Sequence, residues 1–235
     1  MTISENIEVI NNNIRAAAEK SGRSSADIIL VAATKTNDTS KVREAIAAGI
    51  TYCGENRVQE MLDKNAEFAY SGSHLHFIGH LQKNKVKYVV GLAELIHSAD
   101  SLELISLIGK TAVNRNLVQD VLLEINIGSE ESKSGFDISS VDECLLDSIA
   151  QIEGVHVRGL MAIPPVCSSG EENIPFFNQM YKLFVDIAAK KYDNVSMDFL
   201  SMGMSSDYIE AIESGSNMVR IGSGIFGPRI YPDRK

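Results

Sequence analysis

The sequence predicts an α/β fold, a single (β/α)8 barrel of the TIM type with an extra N-terminal helix. From residue 27 onward, short apolar runs alternate with amphipathic stretches, about eight such pairs fit into the chain, and polar or small residues follow most of the apolar runs. Alternating strand and helix patterns indicate a parallel sheet with helical crossovers. Eight units in roughly 200 residues match a barrel near the lower end of its usual size.

Residues 1–20 predict the extra helix. Apolar side chains recur there at intervals of three and four, which places them on one helix face. These residues are Ile3, Ile7, Ile10, Ile14 and Ala17. Gly22 and the serine-rich stretch that ends at Ser25 then break the pattern.

The barrel is predicted to span residues 27–229, within one domain that covers residues 1–235, because no linker, low-complexity run or repeat divides the chain. The predicted strands cover residues 28–34, 50–53, 75–78, 95–98, 118–126, 155–163, 197–201 and 218–221. Helical patterns cover residues 40–48, 56–69, 102–113, 141–152, 176–190 and 206–214. A doubly wound open sheet is the alternative that this pattern leaves open.

Composition excludes several classes of protein. Hydrophobic residues make up 44% and charged residues 23% of the chain, as in an ordinary globular protein. No apolar run approaches the roughly 18 residues of a membrane span, and the N-terminus lacks a secretory pattern. Three widely spaced cysteines fit a reducing compartment, and the net charge of −9 argues against a nucleic-acid partner. We therefore expect a cytoplasmic protein that binds neither membranes nor nucleic acids.

Lys35 stands directly after the first apolar run, which predicts a buried strand. Burying an ammonium group is costly or lowers its pKa, so lysine is rarely left fully buried. A lysine at this position either extends its ammonium group to solvent or is held at the end of the strand for its amine. An amine with a lowered pKa is the group that forms Schiff bases with aldehydes and ketones.

Other polar and special residues also end the predicted strands or follow them. They include Glu55, Asn56, His80, Ser98, Asn126, Pro164 and Pro165. In a barrel these positions converge on the carboxyl-terminal rim, where barrel active sites lie. The pattern weakly favours a functional site at that rim.

The last two predicted strands lead into small residues and hydroxyls that suit an anion. They are Ser201, Gly203, Ser205 and Ser206 after the seventh strand, and Gly222, Ser223 and Gly224 after the eighth. Such turns direct backbone N–H groups at a phosphate, and barrel phosphate sites often use these two loops. Each turn alone is better explained as an ordinary turn with a serine cap. Together, on adjacent strands, they favour phosphate binding.

Two further motifs do not fit their context. Residues 222–227 spell G-x-G-x-x-G, but a dinucleotide fingerprint needs another βα unit and an acidic residue downstream, and only eight residues follow. His74 and His76 share one strand face and resemble a metal pair. A metal site needs further ligands on other strands, and His97 and His156 lie in no matching motif. We expect no metal.

Lys35 within residues 32–36 (AATKT) and seven further stretches resemble the pyridoxal phosphate homeostasis protein family, the single-domain relatives of the alanine racemase N-terminal barrel. The stretches are residues 54–60 (GENRVQE), 76–85 (HFIGHLQKNK), 96–101 (IHSADS), 132–136 (SKSGF), 158–161 (RGLM), 200–207 (LSMGMSSD) and 219–223 (VRIGS). The match runs from residue 30 to residue 229 in family order. One departure is Thr34, where serine is commoner.

The resemblance implies that Lys35 holds pyridoxal 5′-phosphate (PLP) as an internal aldimine. It places Arg220 at the pyridine nitrogen, and Asn56 and His80 near the ring. The residues that it implies around the phosphate are Ser201, Ser205, Gly222 and Ser223, and it implies Met204 as a further cofactor-binding residue.

The implied site limits the chemistry. Arg220 cannot accept a proton, since guanidinium stays charged, and this leaves the pyridine a weak electron sink. Racemisation needs proton transfer on both faces of the substrate carbon. The related racemases take the opposing tyrosine from a second domain, and none of Tyr52, Tyr181 and Tyr208 can be assigned that role from sequence. The sequence therefore supports PLP binding and does not support efficient racemisation.

We expect a non-catalytic PLP-binding protein of intracellular PLP (vitamin B6) homeostasis. We expect it to be a monomer, with PLP-dependent apoenzymes as recipients of PLP. A PLP-dependent amino-acid racemase of low activity is the first alternative. A cofactor-independent Schiff-base aldolase, in which Lys35 meets a keto substrate directly, is the second.

Overall fold

Eight parallel strands close into a barrel with helices around it in the computed structural model, which describes residues 1–128, 130, 134–165 and 167–228. The barrel strands are β1 Ile29–Ala33, β2 Tyr52–Glu55, β3 His74–Phe77, β4 Leu95–Ala99 and β5 Gln119–Asn126, followed by β7 Val155–Ala162, β8 Val195–Ser201 and β9 Met218–Ile221. A two-residue strand, β6 Phe136–Asp137, pairs with β5 outside the ring. Residues 132 and 133 of the SKSGF stretch, and residues 229–235 of the predicted domain, lie outside the described residues.

The strands follow one another around the ring in chain order, apart from β6. β9 pairs with β1, and β4 pairs with β5, so the sheet has no open edge between them. The predicted (β/α)8 barrel is therefore confirmed, and the closed ring excludes the open doubly wound sheet.

The helices of the described residues cover the outside of the barrel. They are α1 Ile3–Lys20, α2 Thr39–Ala47, α3 Val58–Ala66, α4 Val86–Val89, α5 Leu102–Val113, α6 Glu143–Ala150, α7 Ile174–Ala188, α8 Tyr208–Glu213 and α9 Ser223–Phe226. The sequence did not predict α4 and α9, because four residues are too few to show a helical period. Among these helices, none combines the length and apolar character that crossing a membrane requires.

The predicted N-terminal helix is present as α1. A capping box begins it: Thr2 Oγ1 accepts from Glu5 N at 3.2 Å, and Glu5 Oε2 accepts from Thr2 N at 2.7 Å. Its buried residues include Ile7, Ile10, Ile14 and Ala17, as their spacing predicts. The helix packs on α8 and α9, and Asn13 Nδ2 donates to Tyr208 Oη at 2.8 Å. α1 thus supports the helices that follow the last two strands.

Apolar side chains fill the centre of the barrel. Those that form this inner cluster are Val31, Leu95, Leu122, Met161 and Met218. A larger apolar core lies between the strands and the helices. Because the centre is packed, as is usual in such barrels, a ligand must bind at one end rather than in a channel.

Paired charges close the amino-terminal end of the barrel. Arg158 Nη1 donates to Asp120 Oδ2 at 2.7 Å, and its Nε donates to Asp198. The guanidinium also lies 5.1 Å from the ring centre of Phe199. Since these charges satisfy one another, the opposite rim is the better place for a functional site.

Candidate functional site

Lys35 lies at the carboxyl-terminal rim between two loops that the sequence also singled out. It follows β1, whose neighbours in the ring are β2 and β9. Asn56 follows β2, and Gly222 follows β9. Alternation along β1 assigns Lys35 to the inner side, with Val31, and the residue is half-buried. The predicted convergence of these three residues is present.

Arg220 lies inside the barrel on β9 and is 4% exposed. Its Nη1 donates to Ser201 O at 2.8 Å and to Ser201 Oγ at 2.6 Å, and its Nη2 donates to Ala162 O at 3.1 Å. Burial lowers the pKa of Arg220 to about 10, while the carboxylates of Glu124 and Asp207 oppose that shift. The guanidinium is therefore charged at neutral pH and held by β7 and β8.

Two buried histidines extend this hydrogen bonding across the barrel. His97 Nδ1 lies 3.1 Å from Ser201 Oγ, and His97 Nε2 lies 3.0 Å from His76 Nδ1. Burial, with His76 and Arg220 nearby, holds the pKa of His97 well below its usual range, and burial with His74 nearby lowers that of His76 to about 3. Both rings are neutral at pH 7, so each carries one N–H. The direction of these bonds depends on the tautomer; all three groups are satisfied when Ser201 Oγ donates to His97 Nδ1 and the Nε2–H of His97 donates to His76 Nδ1.

Ser201 has a structural role that the sequence did not predict. Its side chain is fully buried, and its hydroxyl already bonds to Arg220 and His97. The predicted phosphate contact of Ser201 stays a prediction. His97 was missed as its partner, although alternation with Leu95 in β4 could have placed it on the inner face.

Ser201→Ala is expected to lower the free energy of unfolding by about 1–3 kcal/mol, because it removes one hydrogen-bond partner from each of Arg220 and His97 in a buried site. Ser98→Ala is the matched control, since the Ser98 hydroxyl is also buried and has no hydrogen-bond partner among the described residues. That control should change stability by no more than about 0.5 kcal/mol. Urea unfolding measures both, and equal losses would contradict a stabilising role for the Ser201 bonds.

The loops after β8 and β9 meet at the rim. Gly224 N donates to Ser205 Oγ at 3.2 Å, and Arg220 N donates to Gly203 O at 3.0 Å. Gly203 has a φ of +95°, and a Cβ there would lie 2.6 Å from Ala211 Cβ, so this turn requires glycine. Met204, which the resemblance implies as a further cofactor-binding residue, is half-buried. The predicted phosphate residues on these loops are Ser205 and Gly222, which are half-buried, and Ser223, which is exposed. Together they form a small-residue surface next to the end of β1.

Asn56 and His80 lie on the loops after β2 and β3. Gly79 lets these loops approach closely, since a Cβ there would come within 2.3 Å of Asn56 O. Asn56 Oδ1 is buried and lacks a hydrogen-bond partner in the part of the chain that the structure describes. His80 is exposed, and its Nδ1 lies 3.2 Å from both Asp100 Oδ2 and Ser134 Oγ. Asn56 therefore offers a ligand an acceptor, and His80 stands at the outer edge of the rim.

Glu124 is a rim residue that sequence reasoning missed. It lies on β5 and borders a cavity of about 160 Å³ that Asn126 and Ser134 also line. Burial raises the pKa of Glu124 to about 7; Asp100 adds to the shift, and Arg220 opposes it. Its Oε2 has no hydrogen-bond partner within the described ranges. Alternation with Leu122 could have placed it on the inner face of the strand.

Glu55 corrects the predicted set of rim residues. It is the last residue of β2, and its side chain turns to the helices outside the barrel rather than to the rim. Glu55 Oε1 accepts from Lys64 Nζ at 2.7 Å, from Thr34 Oγ1 at 2.6 Å and from Tyr70 Oη at 3.0 Å. Burial raises the pKa of Glu55, and Lys64 opposes that shift. The observed strand runs two residues past its predicted end at residue 53, so Glu55 lies within the strand and shares the face of Cys53, which packs in the outer core.

The two motifs that the sequence analysis set aside have other partners. His74 Nδ1 lies 2.7 Å from Glu94 Oε2, and His76 bonds to His97. Residues 223–226 of the G-x-G-x-x-G run form α9. Within the described residues, no group of three or more His, Cys, Asp or Glu side chains is arranged to hold a metal ion.

Comparison with known proteins first gives the class of this barrel. The sequence pattern of the family described as "Alanine racemase, N-terminal domain" matches residues 6–230. The pyridoxal phosphate homeostasis protein of Aquifex aeolicus (strain VF5) is 41% identical over 231 residues, which cover 98% of this chain and 100% of the relative. That of Escherichia coli (strain K12) is 38% identical over 232 residues, or 97% of each chain.

Among solved structures, PipY of Synechococcus elongatus PCC7942 with PLP bound has a TM-score of 0.82 and 28% identity, over 96% of this chain and 100% of PipY. The barrel is thus of the alanine racemase N-terminal class. Within that class, the chain belongs to the pyridoxal phosphate homeostasis protein family, as the resemblance in its sequence implies.

Proposed function

We propose that this protein holds PLP through a Schiff base to Lys35 and takes part in intracellular PLP homeostasis without catalytic turnover. The observation that carries the proposal is the position of Lys35, between the Asn56 loop and the small-residue surface after β8 and β9. The similar PipY has PLP bound in its structure. The similar bacterial proteins are named for PLP homeostasis.

The rim residues fit the chemical groups of PLP. The cofactor supplies an aldehyde, a phosphate and a pyridine ring that withdraws electrons. Lys35 supplies the amine, and its condensation with the aldehyde forms a C=N bond and releases one water. Ser205, Gly222 and Ser223 would hold the phosphate. Asn56 would lie near the pyridine ring of PLP, where its buried Oδ1, which lacks a partner in the described residues, would accept a hydrogen bond from the ligand.

Arg220 supports a carrier rather than a racemase. It would lie at the pyridine nitrogen, where a guanidinium donates hydrogen bonds and accepts no proton. Its bonds to Ser201 and Ala162 hold the charge at one place inside the barrel. An unprotonated pyridine withdraws electrons weakly, so the site is poorly suited to removing a proton from a substrate carbon.

The three tyrosines considered from the sequence also point away from racemisation. Tyr52 stacks on His74 near the start of its strand, with ring centres 4.9 Å apart. Tyr208 Oη accepts from Asn13 on α1, and the Tyr181 ring lies against Gly215. Each tyrosine thus has a contact of its own, whereas racemisation needs an acid and a base on opposite faces of the substrate carbon.

A Schiff base suits storage and transfer of an aldehyde. The C=N bond is covalent, yet water or a second amine can displace Lys35 from it. We infer that PLP-dependent apoenzymes, whose own lysines are such amines, are the recipients. The monomeric state expected from the sequence stays a prediction.

Lys35→Ala is expected to abolish the covalent link and weaken PLP binding at least about tenfold. The wild-type protein incubated with PLP should show a visible absorption band that borohydride removes, with the reduced adduct on the peptide that contains Lys35. Lys41→Ala, on the exposed side of α2, is the matched control and should keep the band. A wild-type protein that PLP leaves colourless would overturn the proposal.

Chiral analysis after incubation with single amino acids separates the carrier from the racemase. No interconversion is expected, and substantial turnover that depends on both PLP and Lys35 would establish the racemase instead. Trapping of a keto substrate by borohydride at Lys35 in the absence of PLP would favour the aldolase.

A further inference from the structure

The two peptide groups that flank Lys35 are both held by one ion pair on α3. Lys64 Nζ donates to Thr34 O at 2.8 Å, on the residue before Lys35. Glu60 Oε1 accepts from Thr36 N at 2.6 Å, on the residue after Lys35. Lys64 Nζ and Glu60 Oε1 are themselves 2.6 Å apart. The Lys64–Glu60 ion pair, which lies outside the barrel, thus binds the peptide groups on both sides of Lys35.

This ion pair is anchored in the buried layer between α3 and the barrel. The side chain of Lys64 is 7% exposed, that of Glu55 is 0% exposed and that of Glu60 is 21% exposed. Glu55 Oε1 binds Lys64 from one side and Tyr70 from another. Because several strong hydrogen bonds meet at these atoms, the Lys64–Glu60 ion pair has little freedom to move.

The backbone after Lys35 is strained at Thr36, the residue whose N–H binds the Glu60 carboxylate. Thr36 has a φ of +65°, which is a costly conformation for a β-branched residue. Such a conformation persists only where surrounding bonds enforce it. The bond from Thr36 N to the Glu60 carboxylate is one such bond, and it is charge-assisted.

We propose that Glu60 is a positioning residue for Lys35. Together with Lys64, it fixes the peptide groups on both sides of Lys35 and so directs the amine from the end of β1 to the rim. Glu60 acts through the backbone and does not touch the ligand. This inference rests on the proposed function, since it assigns Glu60 to the same PLP site.

A purely structural role for Glu60, attachment of α3 to β1, makes a different prediction. Loss of that attachment would lower stability and leave the affinity of the folded protein for PLP unchanged. A positioning role changes the affinity as well. The discriminating readouts are therefore local backbone order near Lys35 and PLP affinity, both measured on folded protein.

Three variants on α3 make the test. Glu60→Ala removes the acceptor for Thr36 N and leaves the Lys64–Glu55 pair in place. Glu60→Gln keeps an oxygen that can accept from both Thr36 N and Lys64. Asp63→Ala is the matched control, because Asp63 is an exposed carboxylate on the same helix that bonds only to Gln59 among the described contacts.

Amide hydrogen exchange of Thr36 in the protein without PLP is the first measurement, and the dissociation constant for PLP is the second. Glu60→Ala is expected to lower the protection of the Thr36 amide and to raise the dissociation constant, each about tenfold. Glu60→Gln and Asp63→Ala should keep both within about twofold of wild type.

Each outcome bears on one of the two proposals. If wild type forms the Schiff base while Glu60→Ala keeps wild-type affinity, the positioning role is wrong and the proposed function stands. Equal effects of Glu60→Ala and Asp63→Ala would also overturn the positioning role. If wild type itself forms no Schiff base with PLP, the proposed function fails, and the positioning role fails with it.

Discussion

Lys64→Met should lower the free energy of unfolding by about 3–5 kcal/mol at pH 7, because it leaves the Glu55 carboxylate buried without its cation. The Lys64 ammonium donates to Glu55, Glu60 and Thr34, and the variant removes all three bonds. Methionine has a similar volume and no charge, so the loss reports the missing ion pair rather than a cavity. Urea unfolding monitored by circular dichroism gives the value.

The pH dependence of this loss follows from the sign of the Glu55 shift. Burial already raises the pKa of Glu55, and Lys64 is the main opposing influence, so its removal raises that pKa further. A carboxyl group with a raised pKa in the fold destabilises it when ionised. That penalty is absent below the pKa of the unfolded chain and complete above the folded pKa.

Two comparisons test this explanation. Lowering the pH from 7 towards 5 should reduce the loss caused by Lys64→Met, because Glu55 takes up a proton. The double variant Glu55→Gln/Lys64→Met should recover much of the stability, because no buried charge remains. A loss that stays constant with pH and persists in the double variant would contradict an uncompensated carboxylate as its cause.

The periodicity of the sequence was sufficient to predict the barrel. Most barrel strands carry an apolar run, and the strand 218–221 and the helix 102–113 begin and end at the predicted residues. The position of Lys35 at a strand end, and of the Gly222 turn after the last strand, followed from the same alternation. Short elements such as α4 were missed, because a single helical turn leaves no repeating pattern.

The polar network of the site could not be predicted in the same way. The resemblance gave Arg220, but nothing local in the sequence connects it to Ser201, His97 or Glu124, which lie on three other strands. Such partners depend on which side chains face inward and how far the strands are staggered. An error of two residues in where a strand ends, as at Glu55, separates a side chain expected at the rim from one that faces the helix layer.

Glu124→Gln should remove a pH dependence of stability that wild type shows between pH 8 and pH 5. The pKa of Glu124 is raised to about 7 by burial first and Asp100 second, with Arg220 opposing. Since the pKa in the fold exceeds that of the unfolded chain, the folded protein binds the extra proton as the pH falls. Wild type should therefore gain about 2 kcal/mol relative to Glu124→Gln between pH 8 and pH 5, with most of the change below pH 7.

Arg220→Gln provides the complementary perturbation, because the same two groups share one buried region of the barrel. Without the guanidinium, the pKa of Glu124 should rise above about 7, and the gain in stability on acidification should begin at a higher pH.

The double variant Arg220→Gln/Glu124→Gln should lose this pH dependence of stability, since neither partner then titrates. Urea unfolding of the four proteins at pH 5, 6, 7 and 8 completes the cycle. Because Arg220 also lowers the pKa of His97, histidine contributions cancel only between two proteins that share the same residue at position 220, and the comparison is made within those pairs. If wild type and Glu124→Gln gave parallel curves, Glu124 would not take up the proton. If instead they diverge mostly below pH 7 and Arg220→Gln moves that divergence to a higher pH, then one carboxyl group, unrecognised from the sequence, sets the charge of the cavity that Glu124 lines.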